Sequence, residues 1–265
     1  MNWKELISQF FARHGYEIRR MPEVSEGVFD HLEECRPHLR RIKGRTFVSS
    51  QGLISLYNQV RYCETNRFPG CLVECGVWKG GAVGLMALAN LAHGRERRDI
   101  HLFDAFADIC EPDPAVDGER VVREISGHLE GKRPTGALRP VKGFYDRWGG
   151  PGSVEDDRRF LVEDIGYENT KLHFHEGWFQ DTLPRDAAAV GPIALLRLDG
   201  DLYASTKICL KHLYRQVVPG GFVVIDDYGT YEGCRHATEE FLAGLETPPF
   251  LNHVDAGIRY LIKPV

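Results

Sequence analysis

Four aspartates stand where metal chemistry would need them. Asp199 and Asp201 flank Gly200, and Asp226-Asp227 precede Tyr228. The first pair follows Ile193-Ala194-Leu195-Leu196; the second follows Gly221-Phe222-Val223-Val224-Ile225. Apolar runs of that length read as buried strands. In open α/β sheets, ligands bind outside the carboxyl ends of neighbouring strands. Four acids converging there repel one another unless a cation sits between them. A divalent metal is the simplest candidate, so the chain reads as an enzyme with a carboxylate metal site.

The elements that must position these acids follow one another in a regular order. Cys71-Leu72-Val73-Glu74-Cys75 reads as a first strand, after the break at Pro69-Gly70, and Gly80-Gly81 opens an Ala/Leu-rich helix ending near His93-Gly94. Ile100-His101-Leu102-Phe103-Asp104 reads as a second strand, 171–175 as a third, 193–198 and 221–225 as the next two, and 257–263 as the last. Helical patterns cover 46–64, 153–165, 204–217 and 232–245, and Pro219-Gly220-Gly221 punctuates a turn. Residues 107–152 carry several Pro and Gly and no clean period; a segment that long is a functional lid or disordered. Trp3, Leu6, Ile7, Phe10 and Phe11 recur at helical spacing. That stripe could cap the core, form a lid or meet a second copy as a homo-oligomer. The reading is α/β: one doubly wound domain over 1–265, with N-terminal helices over 1–68 and an inserted lid at 107–152.

The turn after the first strand, Glu74-Cys75-Gly76-Val77-Trp78-Lys79-Gly80-Gly81, has glycines that let backbone approach a ligand, at a helix start that favours negative groups. The dinucleotide pattern G-x-G-x-x-G is absent. Asp104 ends the second strand, where an acid can accept both hydroxyls of an adenosine ribose. The plainer readings are a tight turn, a helix cap at Glu74 and an N-cap at Asp104.

The totals exclude several classes. A net charge of -5 over 265 residues gives no electrostatic case for nucleic acid or an anionic membrane. The short basic run Arg40, Arg41, Lys43 and Arg45 reads as a solvated face, with a phosphate contact as the alternative. No apolar run approaches the roughly 20 residues of a membrane span, and residues 1–20 lack a signal-peptide centre. Seven cysteines without zinc-like pairing suggest reduced thiols in the cytoplasm.

Taken in order, Val73-Glu74-Cys75-Gly76-Val77-Trp78-Lys79-Gly80-Gly81, Phe103-Asp104-Ala105-Phe106, 177–184 (Gly-Trp-Phe-Gln-Asp-Thr-Leu-Pro), 197–206 (Arg-Leu-Asp-Gly-Asp-Leu-Tyr-Ala-Ser-Thr) and Ile225-Asp226-Asp227-Tyr228 resemble the sugar O-methyltransferases related to macrocin O-methyltransferase and the novobiocin-pathway enzyme. The resemblance implies a class I methyltransferase (Rossmann-like) fold, S-adenosylmethionine as donor, Mg²⁺, and a small-molecule sugar or glycoside acceptor, either the deoxysugar of a natural product or a sugar nucleotide. It implies that Asp199, Asp226 and Asp227 hold the metal and that Asp201 is the catalytic general base. Glu74, Gly76, Trp78, Lys79, Gly80 and Gly81 would face the methionine part of the cofactor, Asp104 the ribose, and Gly177-Trp178 the adenine. Residues 47–53 and 107–152 depart from the pattern, and both would shape the acceptor site.

The chemistry agrees. Adjacent hydroxyls beside Mg²⁺ are acidified and oriented together, and Mg²⁺ prefers oxygen ligands. If the chain stays extended past Asp199, Asp201 points to the same face, within reach of the proton. A metal-dependent catechol or phenol methyltransferase is the alternative; a nicotinamide oxidoreductase and a non-catalytic scaffold are further rivals. His173 and His175 read as satisfied sheet histidines. Tyr145, Trp148, Tyr228 and Tyr231 are candidate acceptor-pocket aromatics, and Ser205-Thr206 a helix start.

Overall fold

The computed structural model describes residues 32–129 and 131–264, of which 33–264 pack in one compact unit. The expected amphipathic helix around Trp3 to Phe11 lies outside the described residues. A seven-stranded sheet runs in the order β3-β2-β1-β4-β5-β7-β6. Its strands are β1 (Cys71–Cys75), β2 (Ile100–Asp104), β3 (Leu172–Glu176), β4 (Ile193–Leu198), β5 (Val217–Ile225), β6 (Asn252–His253) and β7 (Arg259–Ile262). The first five are parallel; β7 runs antiparallel to β5, and β6 antiparallel to β7. The doubly wound, mostly parallel sheet is the expected one.

Helices cover both faces, which is why β1 and β4 are apolar and buried at almost every position. Side chains alternate between two cores. Leu72, Ile100, Leu102 and Leu195 pack beneath α1 (Leu32–Arg41), α2 (Ser50–Thr65) and α3 (Gly81–His93). Val73, Phe103, Leu196 and Leu198 pack against α6 (Phe179–Val190), α7 (Tyr203–Leu213) and α8 (Glu232–Ala243) on the other side. Two shorter helices come between α3 and α6 in the chain: α4 (Gly118–Ser126) and α5 (Val154–Arg159), which runs into a π turn over Phe160–Asp164. The strand order reverses between β1 and β4, the switch point at which open α/β sheets bind ligands. The acids of Glu74, Asp199 and Asp226-Asp227 all end strands beside that point.

Two expectations change. The 107–152 segment is neither structureless nor helix-free: it holds α4, a single 3₁₀ turn at Asp146–Trp148 and a small core of Ile109, Cys110, Val121, Ile125 and Val141 closed by Leu202. Pro219-Gly220-Gly221 does not precede a strand but lies within one. β5 begins at Val217, opposite Ile193, and the register shifts before Phe222 pairs Leu195. Gly220 takes φ +80°, and a Cβ there would meet the Phe68 ring at 2.6 Å. Helix α1, with Pro37 inside it, lies within the expected N-terminal helices over 1–68 but has no helical pattern singled out in the sequence. All seven cysteines are unpaired and buried. Among the described residues no helix is long and apolar enough to cross a membrane.

Candidate active site

The ends of β1, β4 and β5 form a floor of carboxylates. Asp199, Asp226 and Asp227 each bring one oxygen within 4.8 Å of the others. Beneath them lies a residue that the sequence reading passed over, Arg197, whose side chain is 1% exposed. Its Nη1 donates to Glu74 and to Asp199 Oδ2 at 2.9 Å; its Nη2 donates to Asp226 Oδ1 at 2.5 Å. Burial opposes a charge on Arg197, but Asp226, Asp199 and Glu74 hold it charged. The signal was present: an arginine inside an otherwise apolar strand is buried only when paired.

One guanidinium does not balance this many acids. Burial pushes Glu74 up to about 8, against the pull of Arg197. Burial and then the neighbouring acids push Asp201 and Asp227 well above the carboxylate range. Burial lifts Asp226 to about 7 despite Arg197. Glu74 Oε2 and Asp227 Oδ2 are buried with no hydrogen-bond partner. Unpaired buried carboxylate oxygens are costly, so these mark places built for a group from outside the chain. An all-oxygen set suits a hard divalent cation.

Asp201 reaches this floor by another route than expected. The strand ends at Leu198, and Asp201 takes φ +56°. The extended chain therefore does not continue past Asp199; a left-handed residue turns the backbone instead, and the Asp201 carboxyl meets that of Asp227. Asp117, from the inserted segment, accepts the Tyr203 N–H at 2.6 Å and so fixes the turn from the far side.

Over the floor runs the glycine loop. Gly76 takes φ +91°, and a Cβ there would lie 1.8 Å from the Asp199 carbonyl, so only glycine allows the loop to cross β4. Asp104 accepts the Val77 and Trp78 N–H groups at 2.5 and 3.0 Å on Oδ2, and the Phe106 N–H at 2.7 Å on Oδ1. It therefore shapes the loop, and one lone pair on Oδ1 is left for a ligand. Glu74 caps no helix, since its bound oxygen faces Arg197. Arg45 is not a solvated residue: it donates to the Lys79 carbonyl at 2.7 Å and to Asp157 at 3.1 Å. Asp157 is fully buried under Gly80.

Aromatics roof the loop. Phe47 stacks on Trp78 with centroids 4.0 Å apart and meets Trp148 edge-on at 4.9 Å. Lys79 Nζ donates to the Trp148 carbonyl at 2.6 Å, and Trp78 Nε1 to the Gly150 carbonyl at 3.3 Å. The inserted segment is thus folded down onto the cofactor-type loop.

Floor, loop and roof line a half-open cavity of about 780 Å³. Glu74, Gly76, Trp78, Asp104, Trp178, Asp199, Asp201, Asp226 and Asp227 all line it. Lys79, Gly80, Gly81 and Gly177 are not on its wall. Lys79 turns to the insert, Gly81 packs against the Arg45 carbonyl, and Gly177 donates to the Asp104 carbonyl at 2.9 Å. Tyr145, Trp148 and Tyr231 line the cavity; Tyr228 instead donates to Glu239 at 2.8 Å. The loop before β7 also contributes, through Asp255 to Ile258, without any signal in the sequence reading.

The model of the family described as Macrocin-O-methyltransferase (TylF) matches residues 3–129 and 155–263. The chain is 35% identical over 232 residues to an 8-demethyl-8-(2,3-dimethoxy-alpha-L-rhamnosyl)-tetracenomycin-C 4'-O-methyltransferase from Streptomyces olivaceus, covering 84% of this chain and 79% of that protein. It is 35% identical over 235 residues to the demethyldecarbamoylnovobiocin O-methyltransferase of Streptomyces niveus, covering 86% and 81%. Among solved structures, the O-methyltransferase NovP superposes with a TM-score of 0.66 at 30% identity, covering 99% of this chain and 98% of that one. The class I methyltransferase fold is therefore the fold of this chain.

Proposed function

Since this chain belongs to the macrocin O-methyltransferase family and is an O-methyltransferase, we propose that it transfers the methyl group of S-adenosylmethionine to a hydroxyl of a glycoside, with a divalent cation at its aspartates. The observation that carries this is one cavity in which the glycine loop with the unpartnered Glu74 oxygen adjoins Asp199, Asp226 and Asp227.

Glu74 Oε2 would accept a hydrogen bond from the cofactor's ammonium group, and Asp104 Oδ1 one from a ribose hydroxyl. Trp78 and Trp178 give the cofactor apolar walls. Asp199, Asp226 and Asp227 would hold Mg²⁺, which supplies the positive charge that acidifies a neighbouring sugar hydroxyl. Asp201, against Asp227, accepts the hydroxyl proton. Phe47, Tyr145 and Trp148 cover the reacting groups and exclude water. Alignment of hydroxyl and methyl then carries much of the rate.

The wall also bears on the acceptor. Nine acids (Glu74, Asp104, Asp108, Glu124, Asp199, Asp201, Asp226, Asp227 and Asp255) face three arginines. Of these, Arg45 and Arg197 are already paired, and Arg147 lies over the Trp148 ring at 3.7 Å. Such a wall disfavours a diphosphate. The acceptor is an uncharged or cationic glycoside rather than a sugar nucleotide, in keeping with the rhamnosyl group in one relative's name. The test is mass spectrometry of glycosides and sugar nucleotides incubated with S-adenosylmethionine and Mg²⁺. A glycoside should gain one methyl, and chelator should abolish the gain. Absence of cofactor binding by calorimetry would overturn the reading.

A further inference from the structure

We infer that Arg197 is a positioning residue that couples the cofactor site to the metal site. The inference rests on the reading above, in which Glu74 serves the cofactor and Asp199 and Asp226 serve the metal.

Three strands meet at this one side chain. Glu74 ends β1, Asp199 follows β4 and Asp226 follows β5, and no other described cation bonds any of the three. Arginine's donors form a rigid planar fork. Nη1 is shared between Glu74 and Asp199, and Nη2 serves Asp226. A carboxylate has two oxygens, so each acid gives one to Arg197 and keeps one. For Glu74 the kept oxygen is the buried, unpartnered Oε2. The fork thus fixes the orientation of the oxygens left over for both ligands. Because one positive charge is divided among three acids, a change at one is felt at the others. With the Glu74 carboxyl replaced, Nη1 no longer divides between two acids, so Arg197 binds Asp199 more firmly and competes better with a metal for it. Linkage makes the effect reciprocal.

Calorimetry can read this without turnover. Mn²⁺ alone is titrated into cofactor-free protein, and S-adenosylhomocysteine alone into chelated protein. Glu74→Gln should weaken Mn²⁺ binding about 5-fold, although Glu74 is not among the metal aspartates, and Asp226→Asn should weaken S-adenosylhomocysteine by a similar factor. In the Arg197→Lys background, which keeps a cation but loses the fork, the Glu74→Gln effect on Mn²⁺ should shrink to below about 2-fold. An effect of Glu74→Gln that persists undiminished there overturns the role of Arg197, since direct repulsion between the acids would then explain it. Should Arg197→Lys fail to fold, the two cross-effects decide: if either is absent while the wild type binds both ligands, the coupling is refuted. A wild type that binds S-adenosylhomocysteine but no Mn²⁺ fails differently, because it removes the metal reading along with the coupling.

Discussion

The sheet carries two polar clusters, and they are built on opposite principles. At the ends of β1, β4 and β5, carboxylates crowd around one arginine and two of their oxygens stay unpartnered. On β2 and β3, three histidines form a closed set. The rings of His101 and His173 stack at 4.6 Å, and that of His175 stacks on Phe103 at 4.0 Å. His175 Nδ1 lies 2.9 Å from Asp186, and a carboxylate can only accept, so this nitrogen donates. His175 Nε2 then accepts from His101 Nδ1 at 3.0 Å, while His173 Nε2 donates to Asp99 at 2.8 Å. None of these histidines has a buried polar atom without a partner. One cluster completes itself within the chain; the other waits for charge from outside. The difference separates a cluster that holds strands together from one that binds ligands.

The largest effect should come from Asp227→Asn. It removes one ligand and one buried charge from a site with too few cations. Methyl transfer should fall by about 10²-fold or more. The melting temperature in chelator should rise, because ionised Asp227 is opposed by burial, Asp201 and Asp199. Initial rates and calorimetric scans on the same protein check both. Lost activity together with lost stability would mean that the floor is a structural cluster like the histidines.

What the sequence made legible follows the same division. β1, β2 and β4 are mostly apolar runs with an acid at or just past their ends, so both the fold and the positions of Glu74, Asp104 and Asp199 could be placed from pattern alone. Arg197 lies inside the expected strand 193–198, but an arginine's partners on β1 and β5 have no mark in linear order. The inserted segment was illegible for a related reason. Its shape is set by carboxylates that accept amides far along the chain: Asp108 from Gly143 and Tyr145, Glu111 from Thr135, and Asp117 from Tyr203. Such contacts leave no period. The turn at Asp201 depends on a positive φ that aspartate tolerates but does not announce.

The histidine cluster should show itself in stability rather than turnover. Burial, then His173 and His175, hold His101 down to about 4, from an ordinary 6.5. Between those values the unfolded chain binds a proton that the fold refuses, so stability falls as pH drops from 6.5 to about 4. The contribution is at most about 3 kcal/mol. Urea unfolding at pH 7 and pH 4.5 should show a smaller loss in His101→Phe than in the wild type. Equal losses in both would mean that His101 does not titrate this way.

The smallest effect should be that of Asp99→Asn, and it tests the separation most closely. Burial raises the Asp99 pKa, but hydrogen bonds from His173 and Lys171 outweigh it and hold the group below the usual range. The Asp99 side chain is 44% exposed, so solvent screens these pairs, and the loss in stability at pH 7 should stay under about 1 kcal/mol. The rate of methyl transfer should not change. Asp99 nonetheless lies just ahead of β2, and Asp104 at the far end of that strand holds the glycine loop by three amides. Were a shift at Asp99 transmitted along β2, cofactor affinity would weaken even with stability nearly intact. Calorimetric titration of S-adenosylhomocysteine into Asp99→Asn is therefore the sharper measurement: unchanged affinity keeps the two clusters separate, and a several-fold loss makes β2 a lever between them.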